Sequence, residues 1–264
     1  MRGDVHRLGR GGRGNRRNGG QAQHQVPVGD GGKNAVIVLA DADLDQAASL
    51  TAASAMRFAG QKCTATSRAI VATEVLDEFL TKLDAAVTAL PVAPASDATS
   101  AVGPLITEDS LNDVRAYAEQ AARDGRVVTG GGEIEPGRLP KGYYFQPTVV
   151  ADVAPDSKVA QEEVFGPLLV VHTVGSVEEA IRVANSTRYG LSTSLFTREI
   201  NAALEYIHEI DVGMVRINGD TTGVDPHAPF GGLRGSSSHS REQGPAAVEF
   251  FTDTKTVQIS PSAS

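Results

Sequence analysis

Cys63 is the residue of this sequence best suited to chemistry, because it is the only cysteine among 264 residues. A single cysteine excludes an intramolecular disulfide and a zinc site built from several cysteines, and we expect no metal. Cys63 is then either an inert buried thiol or a nucleophile. Gly60 opens a loop that can bring backbone N–H groups close to a reacting carbonyl, while Lys62 and Arg68 add positive charge that favours a thiolate. These neighbours leave both interpretations open.

Alternating helix and strand patterns surround this loop and would position it. Apolar residues at helical spacing predict helices at 43–58, 76–90, 107–123, 177–184 and 199–210. Apolar or β-favouring runs predict strands at 34–39, 66–73, 168–173, 191–196 and 213–218. This alternation predicts an α/β fold with a largely parallel sheet flanked by helices.

Two helix starts carry capping signals. Asp41 or Asp43 is available to cap the helix at 43–58, and Ser176 with Glu179 forms a capping box.

The net charge of −8 is unevenly distributed. Residues 1–30 carry six Arg against Asp4 and Asp30, so this segment is basic and the remainder is acidic. An acidic body argues against nucleic-acid binding, which needs a basic surface. The sequence lacks a long apolar run and the apolar core of a secretion signal, so we expect a cytoplasmic protein without a membrane segment.

Four ordered segments carry a resemblance to a known family. They are GGKN at 31–34, the loop around Cys63, QEEVFGP at 161–167 and PFGG at 229–232. In this order they resemble the aldehyde dehydrogenase superfamily from Gly31 to about Ile259. The resemblance implies that residues 31–235 form the catalytic domain, and that residues 236–264 hold an intersubunit β-strand for a homo-oligomer.

The resemblance also implies a mechanism and a set of site residues. The Cys63 thiolate would attack a small aldehyde, hydride would pass to NAD or NADP, and water would release the acid from a thioester. Glu163 and Phe165 match the positions that hold the nicotinamide ribose and ring. Asn218 and Phe230 resemble positions near the substrate pocket, although core packing explains Phe230 equally well. The segments at 61–68, 219–227 and 236–244 together are most similar to the 2-oxoglutarate semialdehyde dehydrogenases.

The sequence departs from the family at its beginning. The general base, a Glu, belongs at the position of Gly29, and Asp30 is a poor substitute. The cofactor-binding domain and an Asn oxyanion donor belong upstream, so we expect the isolated chain not to reduce NAD(P)+. Residues 9–14 match the spacing G-x-G-x-x-G, but no hydrophobic strand precedes them and no helix follows, so they are rejected as a dinucleotide site.

A frameshift explains residues 1–30, which otherwise have the composition of a disordered segment. Codons can be chosen for Asp4 to Asp30 that, read one nucleotide later, encode family-like text including the expected Glu. The hypothesis fails if the neighbouring frame of the gene does not encode such text.

Two other functions compete with the enzyme. The chain could be a non-catalytic assembly partner of a full-length homologue, because the tail around residues 249–259 is β-favouring and could pair with another subunit. It could also be an RNA-binding protein with an Arg/Gly tail, but residues 1–30 contain no Phe, Tyr or Trp to stack on bases.

Overall fold

The strands form a seven-stranded, largely parallel sheet. The computed structural model describes residues 31–132, 134, 137–238 and 241–260. The strands of the sheet are β1 Asn34–Val38, β2 Thr66–Ala72, β3 Arg126–Thr129, β4 Thr148–Ala151, β5 Leu168–Val174, β7 Ser192–Phe196 and β8 Met214–Ile217. Their order is β3-β4-β5-β2-β1-β7-β8, and every neighbouring pair is parallel except β3 with β4. Tyr189–Gly190 (β6) and Leu233–Arg234 (β9) form a separate antiparallel ribbon.

Helices connect these strands, as the alternating pattern predicts. They are α1 Leu44–Met56, α2 Leu76–Thr88, α3 Glu108–Asp124, α4 Lys158–Gln161, α5 Val177–Asn185, α6 Ile200–Glu209 and α7 Ala246–Phe251, with short 3-10 turns at Arg57–Gly60 and Thr73–Val75. The α/β prediction is therefore confirmed.

The predicted helix caps are found with one change. Asp43, one of the two candidates, accepts a hydrogen bond from the Gln46 N–H at 3.1 Å and caps α1. Ser176 accepts from the Glu179 N–H at 3.2 Å and caps α5. The Glu179 carboxylate, however, accepts from the Gly175 N–H instead of closing back onto Ser176. In the usual capping box the carboxylate accepts from the N–H of the capping residue itself, which is Ser176 here. The contact to Gly175 lies one residue earlier.

Both faces of the sheet are buried. Val36 and Val38 pack into a core with α1, α2 and α3, whereas Ala35 and Ile37 pack into a second core with α5 and α6. Alternate side chains of a strand point to opposite faces, so a strand covered on both sides is apolar throughout. This explains why the run at 34–38 has no polar face.

Three of the motifs precede neighbouring strands. The Gly31–Gly32 pair comes just before β1, Cys63 just before β2, and the segment 161–167 just before β5. These strands are adjacent and parallel in the order β5-β2-β1, so their amino ends meet at one edge of the sheet. The motifs are thereby brought to the same place.

The C-terminal tail differs in part from the prediction. Phe250 and Phe251 lie in α7 and contact each other edge to face, so the prediction of an extended conformation is wrong for them. Residues 252–260 are exposed and belong to no strand of the described chain. The sequence-based predictions for residues 1–30, including Gly29 and Asp30, lie outside the described residues.

Candidate functional site

Cys63 lies in an unusually tight loop between α1 and β2. Phe58, Ala59 and Gly60 all adopt left-handed backbone conformations, with φ of 57°, 54° and 65°. Such values are costly for residues other than glycine, so the surrounding packing must hold the turn. The loop ends with Cys63 exposed.

Close backbone packing joins this loop to the segment before β5. A Cβ on Gly60 would lie 2.2 Å from the carbonyl oxygen of Gly166, and one on Gly166 would lie 2.2 Å from the Val114 side chain. Neither position therefore has room for a side chain. Phe165, which directly precedes Gly166, also has a positive φ of 54°.

The Gly31–Gly32 pair lies between the Glu163 carboxylate and the Cys63 loop. The Gly32 N–H donates to Glu163 Oε1 at 3.0 Å. A Cβ on Gly31 would overlap that carboxylate at 2.1 Å, and one on Gly32 would approach the Cys63 carbonyl oxygen to 2.8 Å. The two glycines therefore allow three motifs to pack as one unit.

Asn34 fixes the carbonyl groups of the loop. Its Nδ2 donates to the carbonyl oxygens of Cys63 at 2.9 Å and Ala65 at 2.8 Å, and its Oδ1 accepts from the Ser192 N–H at 3.1 Å. The sequence places Asn34 in the GGKN motif but gives no indication of this contact.

The thiol of Cys63 is shifted toward its protonated form. Burial raises its pKa above the ordinary value, and the Glu163 carboxylate raises it further. The backbone N–H groups of Cys63 and Thr64 and the Lys62 ammonium oppose this shift. The Lys62 ammonium lies 4.5 Å from the centre of the Phe58 ring. Lys62 therefore acts in the expected direction, but burial and Glu163 outweigh it, so the net shift of the thiol pKa is upward.

Arg68 does not contribute charge to the thiol as predicted. Its guanidinium is buried and donates to the backbone carbonyls of Lys33, Val183 and Ala184 at 2.9–3.1 Å. Two of these carbonyls belong to the last turn of α5, where a cation is favourable. Arg68 therefore stabilises the fold.

Lys33 is a buried amine beside this site. Burial and the neighbouring Arg68 lower the pKa of Lys33 to about 7, although the Glu163 and Glu162 carboxylates act in the opposite direction. Glu162 also accepts a hydrogen bond from the Tyr117 hydroxyl at 2.5 Å.

Asn218 has a structural position that the sequence did not indicate. Its Oδ1 accepts from the Thr197 N–H at 3.0 Å and its Nδ2 donates to the Thr197 carbonyl at 2.9 Å. Its φ is 53°, a conformation that Asn tolerates better than most residues. The amide joins the ends of β7 and β8, and the assignment of Asn218 to the substrate pocket stays a prediction.

Phe230 is half-buried beside β8. It lines a cavity of about 170 Å³ together with Met214, Arg216, Val224 and Pro229. The described residues that line this cavity do not include Cys63, and the placement of Phe230 near the substrate stays a prediction.

The described part of the chain offers no metal site or membrane helix. No group of three or more His, Cys, Asp or Glu side chains in it could hold a metal ion. None of its helices is long and apolar enough to span a membrane.

Comparison with known proteins identifies the family of this fold and site. The aldehyde dehydrogenase family matches residues 13–257. The chain is 43% identical over 241 residues to the alpha-ketoglutaric semialdehyde dehydrogenase of Bacillus subtilis, covering 91% of this chain and 49% of that protein. It is 40% identical over 229 residues to the alpha-ketoglutarate semialdehyde dehydrogenase of Haloferax volcanii, covering 86% and 47%.

A solved structure agrees with these relatives. The crystal structure of a Mycobacterium tuberculosis aldehyde dehydrogenase complexed with NAD+ is similar, with a TM-score of 0.85 and 37% identity, covering 92% of this chain and 49% of that one. The chain spans about half the length of the curated relatives it matches. It belongs to the aldehyde dehydrogenase family.

Proposed function

We propose that Cys63 is the nucleophile of an NAD(P)-dependent aldehyde dehydrogenase and that residues 31–235 supply its catalytic domain. The observation that carries this proposal is the exposed Cys63 thiol in a loop that packs against both the Gly31–Gly32 pair and the segment that holds Glu163. An inert structural cysteine is typically buried among apolar groups and does not need this exposure.

The chemistry begins with loss of the Cys63 proton. The thiolate attacks the aldehyde carbon, a C–S bond forms, and the carbonyl electron pair moves onto oxygen. The backbone N–H of Cys63, which the family resemblance assigns as a donor, would stabilise that oxyanion. At the thioester stage, water breaks the C–S bond, releases the carboxylic acid and returns the thiol.

Glu163 and Phe165 would hold the coenzyme at its nicotinamide ribose and ring. Both are half-buried and lie in the segment that packs against the Cys63 loop, which fits this role. When bound, NAD or NADP supplies the hydride acceptor for the aldehyde carbon. The general base and the Asn donor correspond to family positions upstream of Gly31, and Gly29 stands at the position of the base.

The substrate we propose is 2-oxoglutarate semialdehyde. Two relatives that are 43% and 40% identical carry the name of this aldehyde, which is also called alpha-ketoglutarate semialdehyde. The resemblance of residues 219–227 to that subfamily points the same way.

An ester substrate tests Cys63 without a coenzyme. We expect p-nitrophenyl acetate to acetylate Cys63, with one p-nitrophenol released per chain in a burst, and Cys63→Ala to abolish the burst. Mass spectrometry locates the acetyl group. A burst that survives in Cys63→Ala would refute the proposal.

The aldehyde is tested by protection and by turnover. We expect 2-oxoglutarate semialdehyde to slow alkylation of Cys63 by iodoacetamide more than glutarate semialdehyde, which lacks the 2-oxo group. NAD(P)H absorbance with each coenzyme measures turnover, which we expect the isolated chain not to show. Equal protection by both aldehydes would remove the substrate assignment and leave the nucleophile assignment intact.

A further inference from the structure

A buried series of hydroxyl groups connects the Cys63 loop with the two elements that flank it and with a distant loop after β8. Ser54 lies in α1, Thr66 is the first residue of β2, and Thr221 lies in the loop after β8, each at most 2% exposed. The oxygens of Ser54 and Thr66 are 2.7 Å apart, and those of Thr66 and Thr221 are 2.8 Å apart. Thr221 Oγ1 then donates to the carbonyl oxygen of Thr64 at 2.7 Å.

The direction of donation along these hydroxyl groups follows from the single hydrogen that each of them can donate. A carbonyl only accepts, so the single hydroxyl hydrogen of Thr221 is used on Thr64. Thr66 must therefore donate to Thr221, and Ser54 must donate to Thr66. The alternative acceptor for Ser54, the Thr51 carbonyl, is farther away at 3.2 Å.

The same direction continues through two peptide groups to the nucleophile. The Thr64 carbonyl shares a peptide group with the Ala65 N–H, which donates to the Lys62 carbonyl at 3.0 Å. The Lys62 carbonyl in turn shares a peptide group with the Cys63 N–H, the backbone donor of the nucleophile residue itself. Hydrogen bonds aligned in series polarise one another, so each donor upstream strengthens the Cys63 N–H.

Thr221 is also held firmly in place. The Ser192 hydroxyl donates to its carbonyl at 3.0 Å, and the Ser194 hydroxyl donates to the Gly219 carbonyl at 2.6 Å. The neighbouring Thr222 hydroxyl instead donates to Asp220 at 2.9 Å and takes no part in the chain.

We propose that Thr221 is a positioning residue that orients and polarises the Cys63 backbone N–H as an oxyanion donor. The inference rests on the proposed function of Cys63. It joins the loop after β8 to the nucleophile by contacts that neither the motifs nor the family assignment supplies.

Two electrophiles test this proposal. Acylation by p-nitrophenyl acetate passes through an oxyanion, whereas alkylation by iodoacetamide does not, so their rate ratio reports on the oxyanion donor. For Thr221→Val we expect the ratio of acylation to alkylation to fall about tenfold, the size of effect that a small misplacement of a reacting group produces. Thr221→Ser, which keeps the hydroxyl, and the control Thr222→Val should keep the wild-type ratio.

A purely structural role predicts a different result. It would lower the melting temperature of Thr221→Val but leave the rate ratio of the folded protein unchanged, and that outcome overturns the proposal. If Thr221→Val does not fold, Ser54→Ala tests the proposal through the same ratio of acylation to alkylation. We expect that ratio to fall, but by less than for Thr221→Val. An unchanged ratio in Ser54→Ala would overturn the proposal. A wild-type chain that is alkylated but never acylated overturns the function of Cys63 and this proposal together.

Discussion

At the scale of single residues, the position of Cys63 depends on residues that have no side chain. Gly60, Gly31 and Gly32 lie where a Cβ would overlap the Gly166 carbonyl, the Glu163 carboxylate and the Cys63 carbonyl, respectively. The backbone segments around the sulfur are therefore closer together than segments carrying side chains could be. Tight packing of this kind makes the loop sensitive to very small substitutions.

Gly60→Ala tests this sensitivity. The new Cβ meets a backbone carbonyl at 2.2 Å in a left-handed conformation, so we expect the free energy of unfolding to fall by about 2–4 kcal/mol. Acylation of Cys63 should slow as well. Gly103→Ala is the matched control, because a Cβ there meets no described atom within 4 Å. Equal stability of the two variants in urea unfolding would contradict the packing argument.

Lys33 gives the protein a predictable pH dependence. Its pKa of about 7 in the folded state lies below the ordinary value of 10.5, so between these values the unfolded chain binds more protons. The contribution of Lys33 to stability therefore rises as the pH increases from about 7 toward 10.

Comparison with Lys33→Met isolates this contribution. Between pH 7 and pH 9, we expect the unfolding free energy of the wild type to gain about 2 kcal/mol relative to the variant. Urea unfolding of both proteins at the two pH values measures the difference. A difference that stays constant with pH would mean that Lys33 is not buried as a neutral amine.

At the scale of elements, strand ends rather than helices organise the site. Cys63, the glycine pair and Glu163 each belong to a loop that enters β2, β1 or β5, and these strands are neighbours. In open α/β sheets, ligands commonly bind beyond the carboxyl ends of strands, whereas these loops meet at the amino ends. The loop after β8 then reaches the same region through Thr221.

Asn218 connects the ends of two strands through its side-chain amide. Asn218→Ala removes both hydrogen bonds to the Thr197 backbone, so we expect a loss of about 1–3 kcal/mol in unfolding free energy. The ratio of acylation to alkylation at Cys63 should not change. Asn201→Ala, on the exposed side of α6, is the control. A variant with normal stability and weakened binding of the aldehyde would contradict the structural role and support the placement of Asn218 in the substrate pocket.

At the scale of the whole molecule, the open edge of the sheet and the tail suggest how copies assemble. β8 pairs with β7 on one side and ends the sheet as described, while Val257 and Ile259 are 69% and 89% exposed. We propose that residues 252–260 pair with a second copy of the chain. An extended segment with alternating apolar residues suits strand addition.

Charge on the apolar side of the tail tests this assembly. Val257→Asp with Ile259→Asp should shift the protein to a smaller species in size-exclusion chromatography with light scattering. Gln258→Asp places a charge on the opposite side of the same segment and should leave the mass unchanged. An identical mass for all three proteins would exclude the tail from the interface.

The sequence by itself determined the class of fold and singled out Cys63, which we propose as the nucleophile. Apolar periodicity is a local property, so it predicted α1, α2 and α3 and the strands near 34–38, 168–174 and 192–196. The order of the motifs around Cys63 indicated the family that comparison then established. The prediction of an extended conformation was wrong for Phe250 and Phe251, because β-favouring residues in a short terminal segment do not exclude a helix.

The tertiary structure alone decided how the site is built. Arg68 and Asn218 have charges or amides that suit a site, but backbone carbonyls and N–H groups elsewhere in the fold use them. Thr221 bonds to Thr64, a residue 157 positions away, and Glu163 to Gly32 across 131 positions. Hydrogen bonds between such distant residues depend on the order of strands in the sheet, which local patterns do not contain. The sequence therefore named the thiol, and the fold determined which groups surround it.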